Sequence, residues 1–332
     1  MCQPMGSVLA FKGIENSIVL MHGSQGCSTY MRLHLTHHFR EPVDIASSSL
    51  SERGAVYGGG ENLKKGLRNV ISGYRPKVIG VASTCMAETI GDDIPGIIRE
   101  FKEEEGIGDD ISNDITIIPV STPSYSDSSM NGYIKAIDAI TRQFTGDAID
   151  TDKVPGGRVN IILAENISPA DVRELREVAT DMIGSHILLP DISDTFDAPI
   201  RETLPEIACG GTSVTDIADM VNSDASIGLG VTSSNLAVEY LEAVHGVTGY
   251  NVPLPIGLGN TDRFFDTLTQ ITGCEMPEKY QSERGRLLDA MVDVHKYLYG
   301  VRAAVYGDPD TVAGMVSLML ELGMHPVLAV FT

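Results

Sequence analysis

Four side chains could do chemistry together: the thiols of Cys2, Cys27 and Cys85 and the hydroxyl of Ser124. Cys27 closes the segment His22-Gly23-Ser24-Gln25-Gly26-Cys27, behind an apolar run at residues 17–21. Cys85 follows the run at 77–82, within Thr84-Cys85-Met86, ahead of a helical pattern that starts near Asp92. Ser124 has the same placement after the run at 115–120 and the turn Ser121-Thr122-Pro123. Cys2 precedes Gln3-Pro4-Met5-Gly6, read as a loop. In open parallel sheets, ligands collect outside the carboxyl ends of the strands. Three thiols and a hydroxyl at loop or strand-end positions therefore point to an iron–sulfur site held by thiolates. Glycines at 23 and 26 would let backbone N–H groups approach sulfide closely. The competing reading of each cysteine alone is a small buried hydrophobe, which is common for a free thiol. The residues by themselves leave both open. Cys209 and Cys274 have no comparable setting and are read as structural.

Other features carry a functional and a plainer reading. His34, His37, His38 and Arg40 form a basic cluster that suits a cofactor path or partner surface, or simply a solvent-facing helix. Gly58–Gly60 ahead of residues 61–67 resembles a phosphate-binding loop before a helix. It lacks the Lys-Ser/Thr pair, since Lys64-Lys65 is followed by Gly66, so tight packing or a docking turn is the preferred reading. His295 reads as a packed histidine rather than a catalyst, and no Ser–His–Asp order or paired-carboxylate motif stands out.

The elements that must position these groups are short apolar, β-branched runs alternating with helical patterns. The runs lie at 77–82, 115–120, 159–164, 186–190, 225–231, 302–306 and 326–331. Continuous rather than alternating apolar runs suit parallel strands covered on both faces. Helices are expected at 92–105, 169–183, 212–222, 234–245, 277–299 and 310–322, with Ser168-Pro169 and Asp308-Pro309 as starts. The fold class is α/β, with repeated doubly wound, Rossmann-like domains and parallel sheets. A polar segment at 150–157, containing Pro155 and two glycines, separates two arrays. The expected division is 1–150, carrying the candidate ligands, then 151–275, then 276–332. That last piece holds one strand–helix–strand unit, so it is read as an incomplete third domain of a truncated chain.

Composition narrows the function classes. The 332 residues are 42% hydrophobic and 21% charged, enough apolar material for a sizeable core. Acidic residues outnumber basic ones 45 to 24, a net charge of −21 that would repel phosphate backbones, so nucleic-acid binding is not expected. Five widely spaced cysteines with no C-x-x-C argue against a disulfide framework or a zinc ribbon. No run is long enough to span a membrane, and the start lacks a basic n-region with an apolar stretch behind it. A cytoplasmic location is expected.

Several stretches resemble the β-type subunits of the nitrogenase component 1 superfamily. They are Cys2-Gln3-Pro4-Met5-Gly6, the loop 22–27, His38-Phe39-Arg40-Glu41-Pro42-Val43, Val56-Tyr57-Gly58-Gly59-Gly60-Glu61-Asn62-Leu63, and residues 83–93. Thr122-Pro123-Ser124, Glu283-Arg284-Gly285-Arg286-Leu287 and Val305-Tyr306-Gly307-Asp308-Pro309-Asp310 extend the likeness over nearly the whole chain. The resemblance implies that Cys2, Cys27, Cys85 and Ser124 bind an iron–sulfur cluster, of 4Fe-4S or P-cluster type, shared with an α-type (NifE/NifD-like) partner in a heterotetramer. It further implies an ATP-dependent iron protein as electron donor, in nitrogen fixation.

Two roles follow from that resemblance. One is the NifN-type scaffold on which an iron–molybdenum cofactor precursor is completed. The wording of residues 38–59 and the start at the first candidate ligand favour this role. The other is the catalytic β subunit, an oxidoreductase component relaying electrons through a P-cluster, and retention of all four candidate ligands favours it. A reading from another class is a solute-binding or sensory α/β module with dispersed cysteines and no metal.

Overall fold

The computed structural model describes residues 2–108, 115–146, 157–200, 202–203 and 205–331. The chain divides into two compact units: Met1–Asp147 with Ser168–Val172 and Leu189–Asp219, and Ala148–Ile167 with Arg173–Leu188 and Met220–Thr332. In chain order the first elements are α1 (Gln3–Lys12), β1 (Ser17–His22), α2 (Gln25–Phe39), β2 (Ile45–Ser47), α3 (Glu52–Tyr57) and α4 (Gly60–Tyr74). There follow β3 (Val78–Ser83), α5 (Cys85–Ile90), α6 (Ile94–Glu105), β4 (Thr116–Val120) and α7 (Ser129–Thr145). Next come β5 (Val159–Ile162), α8 (Pro169–Met182), β6 (His186–Leu189), α9 (Val214–Asp219), β7 (Ala225–Leu229) and α10 (Asn235–His245). The last are β8 (Thr248–Val252), α11 (Leu258–Thr272), α12 (Glu278–Leu298), β9 (Arg302–Gly307), α13 (Pro309–Glu321) and β10 (His325–Phe331). The segment 150–157, read as a boundary, lies outside the described residues except for Gly157.

In the first unit four parallel strands run in the order β2-β1-β3-β4. Every residue of β1 and β3 is buried, as continuous apolar runs require when helices cover both faces. Leu63, Leu67 and Val70 of α4 and Ile94, Ile98 and Phe101 of α6 pack on Ile18, Leu20, Ile79, Val81 and Ile117 of the sheet. Helices α1 and α7 also pack against these strands and each other. Their backbones meet at two glycines: a Cβ on Gly132 would stand 1.9 Å from the Gln3 carbonyl, and one on Gly6 1.8 Å from that of Ser129. Residues 2–6 are therefore not the loop read from the sequence. Cys2 caps α1, with Pro4 in the first turn where a missing N–H costs nothing. The helix is buried nearly all round, so it carries no amphipathic period to reveal it.

Within the second unit the sheet order β6-β5-β7-β8 repeats the same pattern of connections. β7 pairs parallel with both β5 and β8. Doubly wound α/β architecture with parallel sheets is thus the observed fold. β2, only three residues long, and β8, whose Thr248-Gly249-Tyr250-Asn251-Val252 is largely polar, gave no apolar run to read. The pattern at 212–222 resolves into α9 followed by a 3-10 turn at Met220–Asn222.

β9 and β10 form a separate two-stranded parallel sheet, leaving Val327, Leu328, Val330 and Phe331 exposed. α12 is held at its start: the buried Tyr280 hydroxyl donates to Asp181 Oδ2 at 2.7 Å, and Arg284 grips Asp262 through two bonds of 2.8 and 2.9 Å. Burial, then the bond to Asp181, pushes the Tyr280 phenol up to about 12. Beyond that anchor most of the helix is exposed, His295 included, so the packed-histidine reading does not hold. It leans on Tyr299, ring centroids 5.3 Å apart.

Two carboxylates strap α13 to helix N-termini of the same unit. Asp310 is buried and accepts from Thr232 N (3.0 Å), Ser233 N (2.9 Å) and Ser233 Oγ (2.7 Å) ahead of α10. Glu321 accepts from Leu258 N (2.7 Å) and Gly259 N (2.9 Å) in the first turn of α11. Negative charge at a helix N-terminus meets unpaired N–H groups and the positive end of the dipole.

Replacing Asp310 with Ala strands three donors and should lower stability by about 3 kcal/mol, read as a fall in the urea midpoint. The opposite sign is expected at Lys12, at the end of α1. The residue is 3% exposed, and its ammonium is buried with no hydrogen-bond partner among the described residues. Burial lowers its pKa, opposed by Asp44. Lys12→Met should stabilise the protein by about 1–3 kcal/mol. A lower melting temperature in that variant would show that the ammonium is not the liability described.

Candidate functional site

Strand order fixes where a ligand site can form. The chain leaves β1 for β2 on one side and then returns to β3 on the other, so the switch point lies between β1 and β3. Cys27 stands in the first turn of α2, just beyond β1, and Cys85 opens α5, just beyond β3. Ser124 lies in the turn that follows β4. Cys2 is drawn to this end by an antiparallel bridge to Ser128, while Gln3 Nε2 donates to Pro123 O (2.9 Å) and Ser126 Oγ (2.8 Å). All four groups therefore lie along the carboxyl edge of one sheet. Cys2 is exposed and Cys27 and Cys85 are half-buried, so none is the buried hydrophobe of the competing reading. Cys209 and Cys274 are exposed too, and neither lies in these strand-end loops.

Among the described residues no three His, Cys, Asp or Glu side chains come together as a group able to hold a metal ion. The edge presents thiols without closing a shell around them.

Beneath the thiols runs a layer of hydrogen bonds. His22, the last residue of β1, is fully buried, with Nδ1 3.0 Å from Ser48 Oγ and Nε2 3.0 Å from Asp92 Oδ2. Gly23 N donates to Ser48 Oγ at 3.0 Å, and Gly59 N donates to both Asp92 oxygens at 3.0 and 3.1 Å. The His22 carbonyl accepts from Thr84 N (3.1 Å) and Thr84 Oγ1 (3.0 Å), tying the cap of α5 to the end of β1. Packing here is tight: a Cβ on Gly23 would meet Thr84 Oγ1 at 2.0 Å. Farther along, the Ser83 and Ser121 hydroxyls both donate to Glu88, and Thr122 bonds Ser83 through its N–H (2.7 Å) and hydroxyl (2.6 Å).

The three-glycine turn at 58–60 is accounted for by this layer, since its Gly59 N–H serves the chain's own Asp92 rather than a phosphate. His34, His37, His38 and Arg40 are exposed on or at the end of α2, as a solvent-facing helix and a partner surface both require. The His22–Asp92 pair was not singled out from sequence. Its one signal was a polar residue closing the otherwise apolar run SIVLM.

The family model for Nitrogenase component 1 type Oxidoreductase matches residues 2–332. The chain belongs to that family. Similarity within it lies with β chains. The nitrogenase molybdenum-iron protein beta chain of Methanococcus maripaludis is 40% identical across 98% of this chain and 71% of its own length. That of Clostridium pasteurianum is 35% identical across 98% and 69%. The solved structure of nitrogenase Cp1 at pH 6.5 superposes with a TM-score of 0.93 at 35% identity, covering 99% of this chain and 70% of that one. Family membership sets aside the solute-binding reading. Among the described residues no helix is long and apolar enough to cross a membrane.

Burial lowers the His22 pKa below 6.5, against the opposing pull of its bond to Asp92 and that carboxylate's charge. As the pH falls the unfolded chain takes up this proton first, so the unfolded state binds more protons. The stability held above pH 6.5 is then lost as the pH drops toward the folded value. Urea midpoints measured from pH 7 to pH 5 should fall, and His22→Gln should flatten part of that fall. An equal slope in both proteins would remove His22 as its source.

Proposed function

We propose that this chain is the β-type subunit of a nitrogenase-like complex and holds an iron–sulfur cluster, shared with an α-type partner, through Cys2, Cys27 and Cys85, with Ser124 as an additional oxygen ligand. The observation that carries this reading is that Cys27, Cys85 and Ser124 follow three strands of one sheet while the bridge to Ser128 brings Cys2 to the same edge. An incomplete set at an exposed edge is what a site finished by a second protein requires. Apolar side chains ring the same edge: Tyr30 and Leu33 on α2, Met86 on α5, and Tyr125 beside Ser124 are all exposed. Such a surface is costly in water and suits burial against a partner.

A cluster bound here would supply one-electron storage and transfer at a potential set by its surroundings. The chain's own part is to hold thiolates on rigid strand ends and to aim backbone N–H groups near sulfur. Electrons would come from an ATP-driven iron protein, and the complex would be a cytoplasmic heterotetramer. We also retain the division at 150 and 275 as a proposal, with the ligands in the first segment.

The likeness to molybdenum-iron protein beta chains supports the catalytic role, in which the chain relays electrons to a cofactor held by its partner. The wording of residues 38–59 supports the second reading, a NifN-type scaffold for cofactor maturation. Reduction of acetylene by the complex with its iron protein separates them: turnover supports the catalytic role. Release of a cofactor precursor without turnover supports the scaffold.

Anaerobic co-expression with the α-type partner, followed by iron and sulfide analysis, tests the shared reading. Wild-type complex should contain both. Cys27→Ala and Cys85→Ala should lose most of the cluster, and Cys274→Ala none. Iron retained in full by the first two variants would overturn the ligand assignment.

A further inference from the structure

The buried polar layer under the thiols makes one assignment beyond the ligands themselves. An aspartate carboxylate only accepts, so the 3.0 Å contact to Asp92 places the donating proton on His22 Nε2. A neutral imidazole then accepts at Nδ1, where the Ser48 hydroxyl donates across 3.0 Å rather than across the longer 3.4 Å to the Gly23 carbonyl. Ser48 Oγ in turn receives the Gly23 N–H. One direction therefore runs through the network, from Gly23 through Ser48 and His22 to Asp92, where Gly59 N–H joins.

The two ends of this chain serve different loops. Gly23 begins the segment that leads to Cys27. Asp92 N donates to Ala87 O at 3.2 Å, so its carboxylate anchors the far end of the six-residue helix that Cys85 opens.

We propose that His22 is a buried positioning residue with two separable arms, Nδ1–Ser48 fixing the Cys27 loop and Nε2–Asp92 fixing the helix of Cys85. This rests on the ligand reading for its purpose but not for its test. The imidazole's hydrogen bonds go to Ser48 and Asp92, neither of them a candidate ligand. Burial keeps it neutral, as the network direction requires, and its lowered pKa agrees. A lysine or a second carboxylate at this place could not donate on one side and accept on the other.

The amide side chains can replace one arm at a time. His22→Gln reaches as far as Nε2 and keeps the Asp92 bond while abandoning Ser48. His22→Asn is the size of the Nδ1 side, keeping Ser48 and abandoning Asp92. The measurement is the iodoacetamide alkylation rate of each cysteine in the full chain purified without iron, with exposed Cys274 as internal reference. His22→Gln should raise the Cys27 rate about two- to tenfold, the change in local opening expected for one lost hydrogen bond. Cys85 should keep its wild-type rate. His22→Asn should do the reverse. Asp92→Ala, which removes the acceptor of the Nε2–H, should match His22→Asn.

Rates unchanged in both His22 variants, or rising together at both cysteines as general loosening would make them, would overturn the two-arm assignment. Failure of the cluster reading would show elsewhere, as iron retained in the Cys27→Ala and Cys85→Ala complexes, since the alkylation experiment contains no iron.

Discussion

The parallel pairing of β1 with β3 is the constraint on which the rest depends. Their register runs without a break from Ser17 opposite Val78 to His22 opposite Ser83, so both strands finish at one level. Parallel strands need long crossovers, and here the crossover first visits β2. Helices α2 and α5 therefore start just beyond neighbouring strand ends, where Gly23 lies close against Thr84. Cys27 and Cys85 occupy those starts. The thiols are thus set by backbone hydrogen bonding, and the side-chain layer of His22, Thr84, Ser83 and Glu88 refines what the strands have already placed.

The same strand order occurs twice, and its two switch points differ in how they are finished. In the first unit the edge carries thiols and exposed apolar groups. The second unit has its β7–α10 turn filled by the buried Asp310 carboxylate, whose three bonds occupy the donors an anionic ligand would use. One architecture has been opened at one site and closed at the other by the choice of a few side chains. Fold alone would not distinguish them.

Much of the fold was legible because parallel strands covered on both faces are continuous apolar runs, as in β1 and β3, although the runs that became β9 and β10 are largely exposed. What escaped reading failed for identifiable reasons. α1 is buried on every side and shows no period, β2 is three residues long, and β8 is mostly polar. The long helix α12 has an amphipathic sequence yet is mostly exposed beyond Tyr280, so His295 could not be judged from its neighbours in the chain. Of the candidate site, the strand-end positions of Cys27, Cys85 and Ser124 followed from local pattern. The approach of Cys2 depends on a bridge to Ser128, and the His22–Asp92 pair joins residues seventy apart.

The sequence by itself determined the α/β class, the family likeness and the residue types proposed as ligands, because each is written in local composition or in short runs of residue types. Only the tertiary structure decided that these residues lie along one sheet edge, exposed or half-buried, and that a buried imidazole closes the strand leading to Cys27. Those facts depend on which strands become neighbours and on the direction in which a proton is donated between distant residues. Both are settled by packing, and packing is a property of the whole chain rather than of any stretch of it.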